Sequence, residues 1–347
     1  MPHTCPLVCP LSTRDIGKTA PWPQWLREKA DSMITEPILS AEAPQAADMP
    51  GDRDAWLARI DAIGEEAGYF QTVGPKHWAF FADESPTLLV TFETVDGIRL
   101  GQPDQLPLGL SIAAKKSWSH LCIIADGPTW WRDPAVYRYF DRLVDDAFFE
   151  DFDRVVFYGA GAAGYAACAF SVTAPGATVV AVQPRATLDP DITGWDKRDL
   201  GHRRLDFNDR YGYAPDMIEG AGDVFIAFDP TVANDAMHAA LFRKPYVTML
   251  RCPHFGDQVE AGLKATQVLP EMVTAACEGK LTPSLFHKAL RRRRGYGPYL
   301  KAVLAKTEAS GHPKRAAMVC RSVTKRLNAP RFRKRLTELE AQLAKPD

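Results

Sequence analysis

No stretch of this 347-residue sequence approaches the roughly 18 to 20 consecutive apolar residues of a membrane-spanning helix. Met1 to Ile16 holds no apolar core preceded by positive charge, so no secretory signal is read and a cytoplasmic protein is expected. The seven cysteines (Cys5, Cys9, Cys122, Cys168, Cys252, Cys277 and Cys320) are odd in number and scattered, which argues against a disulfide framework. Cys5 and Cys9 lack a second Cys/His pair to complete a metal site. His77 and His120 lack ligand spacing to any Cys, His or carboxylate. No metal is expected on these patterns.

Net charge is also nearly absent, at −1, but its distribution along the chain is uneven. From Lys280 to Asp347 there are 18 Lys/Arg against 4 Asp/Glu, so a basic C-terminal region follows an acidic body. Such a region can dock on its own body or meet a polyanion. The runs Arg291-Arg292-Arg293-Arg294 and Arg331-Phe332-Arg333-Lys334-Arg335 are the candidates for nucleic acid, acidic polysaccharide or anionic lipid. Sparse aromatic interleaving and the lack of a nucleic-acid motif weigh against specific nucleic-acid binding. The 46% apolar fraction fits a globular protein, and the length suffices for one large α/β domain with an appendage.

Residues 1–50 are rich in Pro and Ala with little periodicity, and read as a tail or linker. A helix is predicted over Asp54 to Ala67, with Trp56, Ile60 and Ile63 on one face. Strands follow at 87–93 and 120–125, each ending in an Asp-Gly turn signal (Asp96-Gly97, Asp126-Gly127), with a helix over 133–149. Strands at 153–158, 177–182, 223–228 and 246–250 alternate with helices near 162–173, 214–220, 231–242 and 258–264. That alternation predicts a mostly parallel sheet with helices on both faces over 51–266. Beyond it, 267–347 reads as all helical, with Pro283, Pro298, Pro313 and Pro330 near helix starts.

The turn after the 153–158 strand is the focus of two competing chemistries. Gly159-Ala160-Gly161-Ala162-Ala163-Gly164 fits Gly-x-Gly-x-x-Gly, in which glycines let the backbone approach a pyrophosphate. It also fits a nucleophile elbow in which the attacking serine is replaced by Gly161. Gly159, Ala160, Gly161, Ala162 and Gly164 are therefore the candidate binding positions. Against the dinucleotide reading, the next strand ends in Val182-Gln183-Pro184-Arg185 and not in the acidic residue that holds a ribose. At least two strands also precede the motif. In a hydrolase, acid and histidine follow later strands. Asp229 after the 223–228 strand and His254 after the 246–250 strand occupy those two places, as orienting acid and general base.

The segment Phe157-Tyr158-Gly159-Ala160-Gly161-Ala162-Ala163-Gly164-Tyr165-Ala166-Ala167 resembles the Phe-Tyr-Gly-Ser-Ser-Met-Gly-Gly-Tyr-Ala-Ala elbow of bacterial α/β-hydrolase-like proteins, some associated with surface polysaccharide. Thr187-Leu188-Asp189-Pro190, Trp195-Asp196, Phe228-Asp229-Pro230 and Asp235-x-x-His238 are similar to that group as well. The likeness spans roughly Trp118 to His254. It implies an α/β-hydrolase-like fold, without the serine. The chain also resembles an alphaproteobacterial group often labelled phosphoadenosine phosphosulfate reductase, yet it has no Ser-Gly-Gly-x-Asp-Ser loop and no C-terminal Glu-Cys-Gly-x-His. The expectation is a degenerate hydrolase-like protein that binds or scaffolds around an acylated or glycosylated substrate, without a cofactor. The alternatives are a nucleotide-dependent oxidoreductase and a polyanion-binding module. If the protein is active, hydrolysis is favoured over redox chemistry.

Overall fold

The computed structural model describes residues 53–344. The 1–50 tail, with Cys5 and Cys9, lies outside them. Residues 53–155 form one compact unit and 156–344 a second.

The first unit opens with α1 (Arg53–Ala67), where Trp56, Ile60 and Ile63 are buried as their spacing predicts. Strands β1 (Gly68–Thr72), β2 (His77–Ala82) and β3 (Thr87–Thr94) follow, then helices α2 (Val95–Gly101) and α3 (Leu108–Ala114), β4 (Ser119–Ala125) and α4 (Pro134–Asp145). β1 pairs antiparallel with β2, β2 antiparallel with β4, and β4 parallel with β3. Two expectations are corrected here. Asp96-Gly97 does not turn the chain: it lies in the first turn of α2, whose N-cap Thr94 accepts the Gly97 N–H at 3.0 Å. The helix starting at Asp133 stops at Asp145 and gives way to a separate 3₁₀ turn, Phe148–Asp151. Its start is fixed by Asp133, whose carboxylate accepts the Ala135 N–H at 2.8 Å, and by Pro134 at the first helical position.

The second unit contains β5 (Arg154–Ala160) from Val156 onward, α5 (Ala162–Phe170), β6 (Thr178–Val182), the short α6 (Pro190–Thr193) and α7 (Ala214–Met217), β7 (Asp223–Phe228), α8 (Ala233–Leu241), β8 (Val247–Arg251) and α9 (Val259–Ala265). These strands run parallel in the order β5-β6-β7-β8. The fold class is thus the expected one, α/β with mostly parallel strands and interleaved helices. The predicted C-terminal helices are also present: α10 (Val268–Cys277), α11 (Pro283–Ala289), α12 (Gly297–Ala309), α13 (Pro313–Thr324) and α14 (Pro330–Leu343). After α11 ends at Ala289, a 3₁₀ turn, Leu290–Gly295, holds the four arginines. Leu300, Ala316, Ala317, Cys320, Val323, Phe332 and Leu339 bury a small core between α12, α13 and α14. Among the described residues, no helix is long and apolar enough to cross a membrane.

Candidate functional site

Gly161 sits between β5 and α5 with φ +58° and ψ −118°, a conformation that side chains rarely adopt. The turn reverses a strand into a helix within one residue. Its amide N–H donates to the Val182 carbonyl of β6 at 2.9 Å, and its carbonyl accepts the Tyr165 N–H at 3.0 Å. The flanking glycines serve the backbone crossing itself. A Cβ on Gly159 would stand 2.1 Å from the Ala163 carbonyl oxygen, and one on Gly164 would stand 3.2 Å from the Gly159 oxygen and 3.3 Å from Val182. Gly161 is different: a Cβ there would meet nothing within 4 Å.

That open space is a cavity of about 280 Å3 lined by Ala160, Gly161, Gln183, Asp257, Gln258, Glu260, Ala261 and Lys264. Of the candidate binding positions, Ala160 and Gly161 line it, whereas Gly159, Ala162 and Gly164 do not. The Tyr158 hydroxyl donates to Glu260 at 2.8 Å. Gln183, at the end of β6, has φ +48°. Its side-chain oxygen accepts the Val259 N–H at 3.0 Å, and its amide donates to Asp235. The lining is therefore polar and of mixed charge.

Asp229 and His254 do not line this cavity. Asp229 is fully buried and accepts three hydrogen bonds: from the Thr231 N–H at 2.8 Å, the Thr231 hydroxyl at 2.7 Å and the Gly256 N–H at 2.7 Å. The carboxylate thereby ties the end of β7 to the loop that carries His254. No hydrogen bond joins Asp229 to His254 among the described residues. His254 itself has φ +69°, and its ring centroid lies 6.4 Å from that of Tyr299 on α12. Cys168 and Cys252 are fully buried, and burial pushes both thiols well above their ordinary range. Burial thus disfavours the thiolate at both positions.

The acid and imidazole that the fold does join are Asp196 and His238. His238 Nε2 lies 3.1 Å from Asp196, and Nδ1 accepts the Ala186 N–H at 3.1 Å. Because Nδ1 is an acceptor, Nε2 must be the donor, which fixes a neutral ring with both nitrogens occupied. Burial, joined by the charge of Arg185, pushes its pKa down to about 4 despite Asp196. Arg198 grips Asp196 through two nitrogens, at 3.0 and 2.7 Å, and reaches Asp235 at 2.6 Å. Burial favours a neutral Asp196, but the Arg198 hydrogen bonds prevail and hold its carboxyl well below the carboxylate range. With one nitrogen facing a backbone N–H, the other facing Asp196 and the ring fully buried, His238 presents no nitrogen to a ligand. The cluster instead fastens the loop after β6 to α8, and Gln183 connects it to the cavity.

The four consecutive arginines separate. Arg292 pairs with Glu271 at 2.5 Å, and Arg293 lies 5.2 Å from the ring centre of Tyr299. Arg291 and Arg294 have no carboxylate partner among the described residues. Arg294 borders a groove of about 550 Å3 with Arg326, Tyr299, Val303 and Met318, and Met318 is 64% exposed.

No protein-family model matches the chain, and no curated protein sequence matches it. Among solved structures it is similar to the capsule O-acetyltransferase of Neisseria meningitidis serogroup A, with 11% identity over 60% of this chain and 95% of that one and a TM-score of 0.41. It is similar to the Glycosylation Associate Protein complex of Streptococcus agalactiae, with 12% identity, 61% and 46% coverage and a TM-score of 0.42. It is also similar to carboxyl esterase 2 of the fungus Tuber melanosporum, with 11% identity, 63% and 83% coverage and a TM-score of 0.40.

Proposed function

We propose that this chain is a hydrolase-like scaffold whose elbow binds an acylated or glycosylated ligand and does not attack it. The observation that carries this reading is Gly161: it has the strained strand-to-helix geometry of a nucleophile elbow, opens on a cavity, and supplies no attacking atom. Asp229 and His254 retain the acid and histidine places along the chain, where Asp229 acts as a positioning residue for the His254 loop. Around the cavity, Gln183, Gln258, Glu260, Asp257 and Lys264 offer donors and acceptors suited to a hydroxyl-rich ligand. This reading is preferred to a nucleotide-dependent reductase because the central amide of the Gly-x-Gly-x-x-Gly turn is already taken by Val182.

The test pairs binding with turnover. O-acetylated and unmodified oligosaccharides are titrated into the full chain by calorimetry, and hydrolysis of p-nitrophenyl acetate is followed in parallel. Binding weakened about tenfold by Lys264→Ala, with no turnover, is the expected result. Ester hydrolysis that disappears in His254→Ala would overturn the proposal.

A second reading, a polyanion site on the basic region, is favoured by Arg291, Arg294 and Arg326, which have no acidic partner among the described residues. Retention on a sulfated-polysaccharide column should fall in Arg294→Glu/Arg326→Glu and weaken steeply with salt. Salt-indifferent retention would remove it.

A further inference from the structure

The first unit carries a cluster that the elbow does not use. β3 and β4 are parallel with Thr91 opposite Cys122, and side chains alternate along a strand. Thr91 and Glu93 therefore share one face with His120 and Cys122. The donor atoms of Glu93, His120 and Cys122 all lie within 4.8 Å of one another.

His120 and Cys122 are fully buried. His120 Nε2 lies 2.9 Å from the Thr91 hydroxyl, and His120 Nδ1 has no hydrogen-bond partner. A buried imidazole nitrogen with nothing to bind is uncommon and calls for an explanation. Glu93 is held in place by the Leu108 and Gly109 N–H groups, at 2.8 and 3.1 Å, where α3 begins. Glu93 itself is half-buried.

We propose that Glu93, His120 and Cys122 form a binding site for one zinc-type divalent ion. A thiolate, an imidazole and a carboxylate are the donor set of a borderline-soft metal, and three protein ligands leave one place of a tetrahedron for water. A hard cation such as calcium would require a majority of oxygens, which this set lacks. On binding, the Cys122 S–H proton passes to solvent and a metal–sulfur bond forms. The dication is then balanced by one thiolate and one carboxylate. The amides that hold Glu93 orient that ligand from behind, as outer partners do in metal sites. The ion would tie β3 to β4 and, through Glu93, to the start of α3.

The test uses the full chain without a histidine tag, produced in zinc-supplemented medium and dialysed. Elemental analysis should find about one zinc per chain, falling at least about tenfold in Cys122→Ser and in His120→Gln. Because those variants can fail to fold, cobalt(II) is also added to metal-free wild-type protein. A thiolate-to-cobalt charge-transfer band and a rise in melting temperature with zinc support the site. Absence of both in the folded wild type overturns it, as does an unchanged zinc content in folded Cys122→Ser.

Discussion

Asp196→Ala is expected to destabilise the second unit by about 3–5 kcal/mol, the usual result of removing one partner from a buried charge cluster. Asp196 is 4% exposed and holds Arg198, His238 and Asn234 at once. Without it, Arg198 keeps only Asp235, and the His238 N–H loses its acceptor. Urea unfolding of wild type and variant gives the difference. A loss below about 1 kcal/mol would mean that the cluster is no stronger than a surface pair. The same cluster makes stability depend on pH in a defined direction. The folded pKa of His238, about 4, lies below its ordinary 6.5, so the unfolded chain binds more protons between those values. The stabilisation is complete above pH 6.5 and is lost as pH falls toward 4, by up to about 3 kcal/mol from this residue. The depressed Asp196 carboxyl adds a loss only at still lower pH. Melting temperatures at pH 7 and pH 4.5 should therefore differ, and His238→Gln should narrow the difference.

Gly159→Ala is expected to cost about 3 kcal/mol or more, whereas Gly161→Ala should cost only about 1–2 kcal/mol. The added methyl at 159 would overlap backbone atoms of Ala163, which cannot swing aside as a side chain would. At 161 there is room, and the penalty is confined to holding alanine at positive φ. Denaturation midpoints of the two variants decide the matter. Equal losses would contradict the tight crossing of β5 and α5 described above.

The second unit was largely legible because its strands are continuous apolar runs and its helices are separated by glycine and proline. Strand β7 begins and ends where the pattern places it. The first unit was less so. β1 and β2 went unmarked: β1 is five residues long with a half-exposed pattern, too short for alternation to register. Helix α3, seven residues with no side-chain cap, gives no start signal. The Asp196–His238 pair was hidden because its members are 42 positions apart and one lies in an irregular loop. The Asp235-x-x-His238 spacing, which puts two polar groups on one helical face, was the available clue. Glu93 cannot be joined to His120-x-Cys122 from the sequence, because that contact arises only when β3 pairs with β4.

The empty space above Gly161 does not by itself make the elbow reactive. A serine placed there would fit sterically, yet no imidazole borders the cavity among the described residues, and His238 has neither nitrogen to lend. One substitution would add an alcohol without an adjacent base to activate it. Covalent chemistry at this turn would require a base brought to the elbow as well as a hydroxyl.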